Sequence, residues 1–432
     1  MIACPGLLAW QDTGTGGPMR GMWAASDGGL YVAAGTGVFK SFGGSFTRIG
    51  TIDAGTAPVN FNDNGQELAL VDGKKGYRVP FSTGTFAQIT DPDFPNGATH
   101  LDFLIGYFIA GKPNTQTFYI SSLYNGAAWD PLDFTSAEQS PDNILAHKVV
   151  NSELVVIGDR STEFYFITND ADFPFQRNQS AFQEFGIRAP NTLQKLGSTL
   201  IWMTQTKDGD DMVAALSGYQ SQRISTHMIE KRIRDNADRA AATAWTYERD
   251  GHHFYALQLP DDPYTLVYDL DSQRWHERAA WISGEWEQYP ALCHAQFAGL
   301  NLVGGNDGVV YALDDDTHAY GSNPRRWLRK FRPDYGGGKR VFYSQLRLDM
   351  ETGVGLLNGD GSDPKVMMRY SDDGGNVWSA SLWRSAGKIG EYRRRVQWNQ
   401  LGTAYDRLFE LSSAEPVKTV LTSAYIEASL GR

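Results

Sequence analysis

Ser371, Asp373, Gly375 and Trp378, in the stretch SDDGGNVWS, follow the spacing Ser-x-Asp-x-Gly-x-x-Trp of an Asp-box hairpin. Residues of these types build a turn. The serine and aspartate oxygens hold backbone N–H groups, the glycine takes positive φ, and the tryptophan is expected to plug a core. Because this hairpin recurs in sugar-cleaving β proteins, glycoside hydrolysis is the first chemistry to weigh. That reaction needs two carboxylates flanking the scissile bond, one as acid and one as nucleophile or base. The sequence singles out no such pair among its 50 acidic residues.

A sialidase-type site would need still more: three converging arginines, a tyrosine nucleophile with a supporting glutamate, and an acid/base aspartate. Such enzymes carry several Asp boxes, whereas this chain has one match, near its C-terminal end. Other candidates give no better chemistry. His252-His253, His276 and Cys293-His294 lack metal-ligand spacing. NGDGSD (358–363) begins like a calcium loop, but it has no glycine at the sixth position, and Arg369 stands where the bidentate glutamate belongs. DGDD (208–211) and DDD (314–316) read as turns. GTGGP is followed by no Lys-Ser/Thr and so cradles no phosphate. Ser161, in GDRSTEFYF, would be a nucleophile only if a histidine and an acid converged on it. The expectation is therefore no catalytic, cofactor-binding or metal residue, no cofactor, and no enzyme.

The elements that hold these residues are strands. The chain has 432 residues, including 20 Tyr, 22 Phe, 12 Trp and 46 Gly, a composition suited to short strands punctuated by turns. Its formal net charge of −11 argues against non-specific coating of nucleic acid, which needs a cationic excess. Two cysteines, Cys4 and Cys293, form no disulfide framework and point to folding in a reducing compartment. The N-terminal MIACPGLLAW has no basic region and too short an apolar run for a signal peptide, and no segment approaches the ~20 apolar residues of a membrane helix. A soluble chain folding in the cytoplasm is expected.

A repeat organises the first three quarters. Apolar runs recur as LYVAAG (30), LALVDG (68), YFIAGK (107), LVVIGD (154), LIWMTQ (200), FYALQL (254) and LNLVGG (300), at intervals of 38 to 54 residues. A second strand-like piece follows each run, and often a third. Three or four strands in each unit of this length is the pattern of β-propeller blades, and period-two alternation excludes a helical solenoid. Six or seven blades over residues 1–320 is the expectation, with two stacked sandwiches as the alternative. Residues 225–243 read as a short helical insertion in one blade, capped by Ser225 or Thr226, with Ile229 and Ile233 on one face.

Beyond residue 320 the composition shifts. Arg325, Arg326, Arg329, Lys330, Arg332, Lys339 and Arg340 stand against a single acid, Asp334, beside Pro333 and a Gly triplet. Residues 321–340 read as a basic linker offering a protein-contact patch, with DNA contact as the alternative. Residues 341–432 alternate apolar and polar, including NVWSASLW and YRRRVQW, and read as an antiparallel β-sandwich carrying the Asp box. The fold class is all-β: propeller, C-terminal sandwich and one short helix.

The blocks VVIGDRSTEFYFITNDADFPFQR (155–177), APNTLQKLGSTLIWM (189–203), QRIST (222–226) and RYSDDGGNVWSASLWRSAGKIGEYRRRVQWNQLGTAYDRLFELSSAEPV (369–417) occur in an order that resembles the packaged-DNA stabilisation proteins, the tail hubs or nozzles, of short-tailed bacteriophages. The resemblance covers most of the chain and is most specific over 150–417. It implies a structural virion tail protein, assembled in host cytoplasm as a hexameric ring below the portal adaptor. Such a ring lets double-stranded DNA pass, retains it after packaging, and offers attachment for a spike, fibre or plug protein. It implies no catalytic residue. A glycan-binding or sialidase-like propeller, and a monomeric protein-interaction propeller, stay open beside it.

Overall fold

A computed structural model describes residues 4–137, 140, 142–168, 170, 173–206, 209–333 and 338–431. Asp208 of the DGDD stretch, and Asp334, Gly336 and Gly337 of the basic run, lie outside these. Two compact units emerge. One comprises Ala9–Ala279 and Trp286–Ala312; the other comprises Met1–Leu8, Ala280–Glu285 and Leu313–Arg432.

In the first unit the described residues contribute to seven sheets, the seven blades of a propeller. Each of the seven apolar runs named above supplies the second strand of a blade. Leu30–Ala34 and Glu67–Val71, for example, are buried at every position. Burial on both faces follows from packing every blade between two neighbours. Between the first and second blades, Tyr31, Ala33 and Val38 meet Phe61, Leu68 and Leu70 in one cluster.

The innermost strands touch in cyclic order: Met19–Ala24, Asn60–Asp63, Leu101–Leu104, Ile144–Val150, Gln194–Leu196, Thr243–Arg249, Cys293–Phe297, and back to Met19–Ala24. Polar side chains clip one blade to the next. Asp102 accepts from Asn62 Nδ2 at 2.8 Å and from the Val149 N–H at 2.7 Å, so it joins the second, third and fourth blades. At Gly21 a Cβ would lie 2.2 Å from the Val59 carbonyl oxygen, so only glycine allows the first two blades to approach this closely.

The seventh blade draws on distant parts of the chain. Cys293–Phe297, Leu300–Gly304 and Val309–Asp314 are joined, as the fourth strand, by the end of Gly6–Asp12. The Thr13 N–H and Oγ1 both donate to the Gly308 carbonyl, at 3.1 and 2.8 Å. This seam removes the free edges an open stack would expose.

The helix His227–Asp235 lies between the last strand of the fifth blade, Gln220–Arg223, and the first of the sixth, Thr243–Arg249. It is thus a connection between blades rather than an insertion in one. Thr226 is the N-cap, and Ile229 and Ile233 are buried.

In the second unit two antiparallel sheets form a sandwich. One has the order Trp327–Phe331, Leu408–Ser413, Lys365–Ser371, Leu382–Ser385; the other has Val396–Ala404, Val341–Met350, Leu421–Leu430. Val341, Tyr343, Leu346 and Leu348 alternate into a core with Met368, Trp398 and Phe409. Two expectations are corrected here. The stretch 321–340 is not simply a linker, because Trp327–Phe331 pairs along its length with Phe409–Ser413 and completes a sheet. YRRRVQW is not a strand throughout: the strand starts at Val396, and residues 391–395 lie in the preceding loop.

Candidate functional site

The Asp box forms where the strand Lys365–Ser371 ends. Ser371 is buried, its hydroxyl donates to Asp373 Oδ1 at 2.7 Å, and it accepts the Gly375 N–H at 2.9 Å. Asp373 Oδ1 also accepts the N–H groups of Asn376 and Val377, at 3.0 and 2.9 Å. The Ser371 hydroxyl, followed by the Val377 N–H, holds the Asp373 carboxyl below the usual carboxylate range. Gly375 has φ 102°, which other residues rarely adopt. The side chains of Ser371 and Asp373 are spent on the turn itself.

Trp378, expected in a core, is only half-buried. The chain leaves the sheet after Ser371 and rejoins it at Leu382, so the indole lies along the strand rather than between the sheets. Met368 points into the core and Arg369, one residue on, points away from it. The Trp378 ring meets the Arg369 guanidinium at 4.7 Å and Lys330 Nζ at 5.4 Å.

Both cations belong to Glu410, which is fully buried. Arg369 Nε donates to Glu410 Oε1 at 2.6 Å, and Lys330 Nζ lies 3.5 Å from Oε2. Arg326 sits with its guanidinium 4.1 Å from the Trp281 ring centroid; burial lowers its pKa, and Glu410 opposes that shift. The fold therefore brings Arg326 and Lys330 of the basic run, and Trp378 of the Asp box, to one sheet around a single carboxylate.

The remaining basic residues disperse. Arg325 is buried and donates to the Cys4 carbonyl at 2.5 Å. Arg329 donates to the Leu328 carbonyl, Arg332 pairs with Asp406 at 3.2 Å, Arg340 donates to Thr403 Oγ1, and Lys339 is exposed. The seven cations do not form one open patch, since strand pairing places internal acceptors beside most of them.

The sequence reading passed over a second basic element. Lys388, Ile389, Tyr392, Arg393, Arg394 and Arg395 are all exposed, in two successive turns closed by Glu391 N–H to Lys388 carbonyl and Arg394 N–H to Glu391 carbonyl. Trp383 and Arg384 stand on the neighbouring strand, and Arg384 Nε donates to the Gln397 carbonyl at 3.0 Å. The missed signal was three successive arginines, which period-two burial cannot accommodate.

In the propeller, pairing within the sixth blade brings His252, Asp269 and Asp271 together, with ligand atoms within 4.8 Å of one another, although their spacing in sequence predicted no such cluster. These groups hold a turn. Asp269 accepts from His252 Nδ1 at 2.9 Å and from Ser272 Oγ at 2.6 Å, and Asp271 accepts from His253. Arg278 Nε donates to His276, and His294 faces Asn301. Burial pushes the Cys293 thiol up to about 12, far from thiolate reactivity at neutral pH. Ser161 is buried, and its hydroxyl donates to Asp142 at 2.9 Å, closing a turn. No helix among the described residues is long and apolar enough to cross a membrane.

Comparison with known proteins follows the same division of the chain. Residues 1–318 match the family model described as the β-propeller of bacteriophage P22 Gp10, and residues 334–429 match the one described as its β-sandwich. No curated protein matches the chain. Among solved structures it resembles the computationally designed Ika8 protein at TM-score 0.41 and 12% identity, covering 72% of this chain and 99% of that one. It also resembles the extracellular domain of the putative one-component system BT4673 of B. thetaiotaomicron, at TM-score 0.48 and 12% identity, covering 89% of this chain and 48% of that one. These likenesses are too distant to bear on function. The family matches span both domains in order, on a fold of propeller and sandwich whose clustered polar groups serve turns and internal pairs, and the chain belongs to the bacteriophage P22 Gp10 family, structural phage proteins that stabilise packaged DNA.

Proposed function

We propose that this chain is the tail hub, or nozzle, of a short-tailed phage. Six copies assemble in host cytoplasm as a ring below the portal adaptor. The ring extends and closes the DNA channel, retains the packaged genome, and presents sites for a spike, fibre or plug protein. It performs no catalysis. The observation that carries this reading is the match of both the propeller and the sandwich to one structural family. The physical character of the chain agrees with it. A closed seven-blade ring with a buried core between blades is stiff, as a conduit must be. An acidic balance keeps a DNA-lined channel from gripping its cargo.

The test adds purified protein to DNA-filled heads that carry portal and adaptor but lack the hub. Nuclease protection of the genome and a six-fold density below the adaptor are expected. Heads that stay leaky and unoccupied would refute the assignment, and release of sugar from host glycans would then become the next measurement.

A further inference from the structure

The two parts of the chain carry opposite charge. Residues 1–322 hold 38 acidic against 21 basic side chains, whereas residues 323–432 hold 18 basic against 12 acidic. Most of the cations at 325–332 are engaged inside their own unit. The open positive surface is the loop around Lys388, Arg393, Arg394 and Arg395, and among the described residues no carboxylate forms an ion pair with any of these four. Large apolar groups stand among them: Tyr392 is 72% exposed, and Trp383 and Ile389 are each 53% exposed. Arginine interleaved with tyrosine and tryptophan is the composition of a protein-contact anchor rather than of a merely solvated face.

A matching surface lies on the third blade. Its outermost strand, Asn125–Ser136, presents Asp130, Leu132, Asp133 and Phe134 as the run DPLDF. Leu132 is 80% exposed and Phe134 41% exposed, and Leu123 and Tyr124 protrude at the preceding turn. Burial, and after it the neighbouring Asp130, pushes the Asp133 carboxyl upward. Among the described residues, neither aspartate forms an ion pair.

We propose that the loop Lys388–Arg395, with Trp383, docks on the Asp130–Phe134 surface of a second copy of this chain. The proposal rests on the hub reading and names the contact that builds its ring. The surfaces are complementary twice over, in charge and in apolar content. A DNA duplex would satisfy the arginines, but it would leave Leu132 and Phe134 in water. Two different patches meeting head to tail make a heterologous interface, the kind that repeats around a closed ring. Its charged rim makes association weaken as salt rises.

The experiment uses two full-length variants, R393E/R394E/R395E and D130R/D133R. Association is read by sedimentation velocity and by copies bound per DNA-filled head. All five positions lie outside the buried cores, and thermal unfolding of each variant confirms the fold. Each variant alone is expected to lose at least tenfold in association, and an equimolar mixture to regain it, since each then meets its complement and an even-numbered ring can alternate them. Normal rings from either variant alone would overturn this contact while leaving the hub reading intact. Failure of the mixture to recover, after each variant has lost assembly, would also overturn it. Wild-type protein that forms no ring on the heads would sink both readings. Loop-dependent binding of a short DNA duplex without self-association would assign the loop to nucleic acid instead.

Discussion

The Arg407 guanidinium grips Asp372 with two prongs, Nε and Nη2 each lying 2.6 Å from a carboxylate oxygen. The partners are unequally placed, for the Arg407 side chain is 2% exposed and that of Asp372 41%. Arg407 also donates to the Leu401 carbonyl and lies 4.0 Å from the Tyr370 ring centroid, with Phe409 behind it. The pair anchors the first residue of the hairpin turn to the sandwich core.

This asymmetry separates two adjacent aspartates. Asp372→Ala leaves a buried guanidinium without its counter-ion and should cost about 3–5 kcal/mol. Asp373→Ala opens an exposed turn whose N–H groups water can reach, and it should cost clearly less. Urea unfolding of the two variants measures the difference; equal losses would show that Arg407 does not depend on Asp372.

Trp378 carries a smaller load than a core tryptophan. Lying half-buried against Arg369 and Lys330, it should lose about 1–2 kcal/mol on change to alanine. Trp398→Ala, which empties a fully buried site in the same sandwich, should cost about 3–5 kcal/mol. The ratio of the two is the readout, and a Trp378 loss as large as that of Trp398 would return it to the core.

Acid should weaken the propeller before the carboxylates titrate. Burial lowers His100 to about 3 and His147 to about 4; their rings are 6.1 Å apart, and each Nε2 faces a backbone carbonyl. A folded-state pKa below the unfolded ~6.5 means that the unfolded chain binds more protons, so this contribution is complete above about pH 6.5 and fades as pH falls toward 4. Between pH 7 and pH 5 each histidine should remove about 2 kcal/mol. Denaturant midpoints measured across that interval, with and without His147→Gln, test the sign. A variant whose pH dependence is as steep as wild type would exclude His147 as a source.

The seam of the seventh blade should control the whole ring. Removing residues 1–12 exposes the edge of Val309–Asp314, and early amide exchange is expected there and in Cys293–Phe297. Thr13→Val, which keeps the strand but deletes one side-chain hydrogen bond, should cost only about 1 kcal/mol. Unchanged protection in the truncated chain would mean that the ring closes without its outer strand.

Features carried by neighbours in sequence were the legible ones. The seven apolar runs mark the second strands because burial on both faces forbids polar interruptions there. The Asp-box turn was readable because each of its hydrogen bonds spans at most four residues. The fates of Lys330 and Arg369 were hidden, since their common acceptor, Glu410, stands about 80 and 40 residues away and only strand pairing reveals it. A run dense in charge therefore looked like a linker, although Trp327, Leu328 and Phe331 among its residues were suited to a sheet. Arg393–Arg395 failed in the opposite sense: the apolar positions after them suggested a strand, but it begins one residue too late to include them.

Because one blade is stitched from residues near both ends of the propeller, its completion is also a matter of timing. The strand ending at Asp12 leaves the ribosome early and waits for Val309–Asp314. At typical translation rates that delay is on the order of 15–60 s. Closing a loop of roughly 300 residues then costs about 5 kcal/mol of chain entropy, which the seam and the packing beneath it must offset. A nascent chain released before the last blade would hold an open stack of sheets with bare edges, a target for proteases rather than a building block. Closure thus inspects the length of its own polypeptide, and only chains translated past Asp314 can form a closed ring.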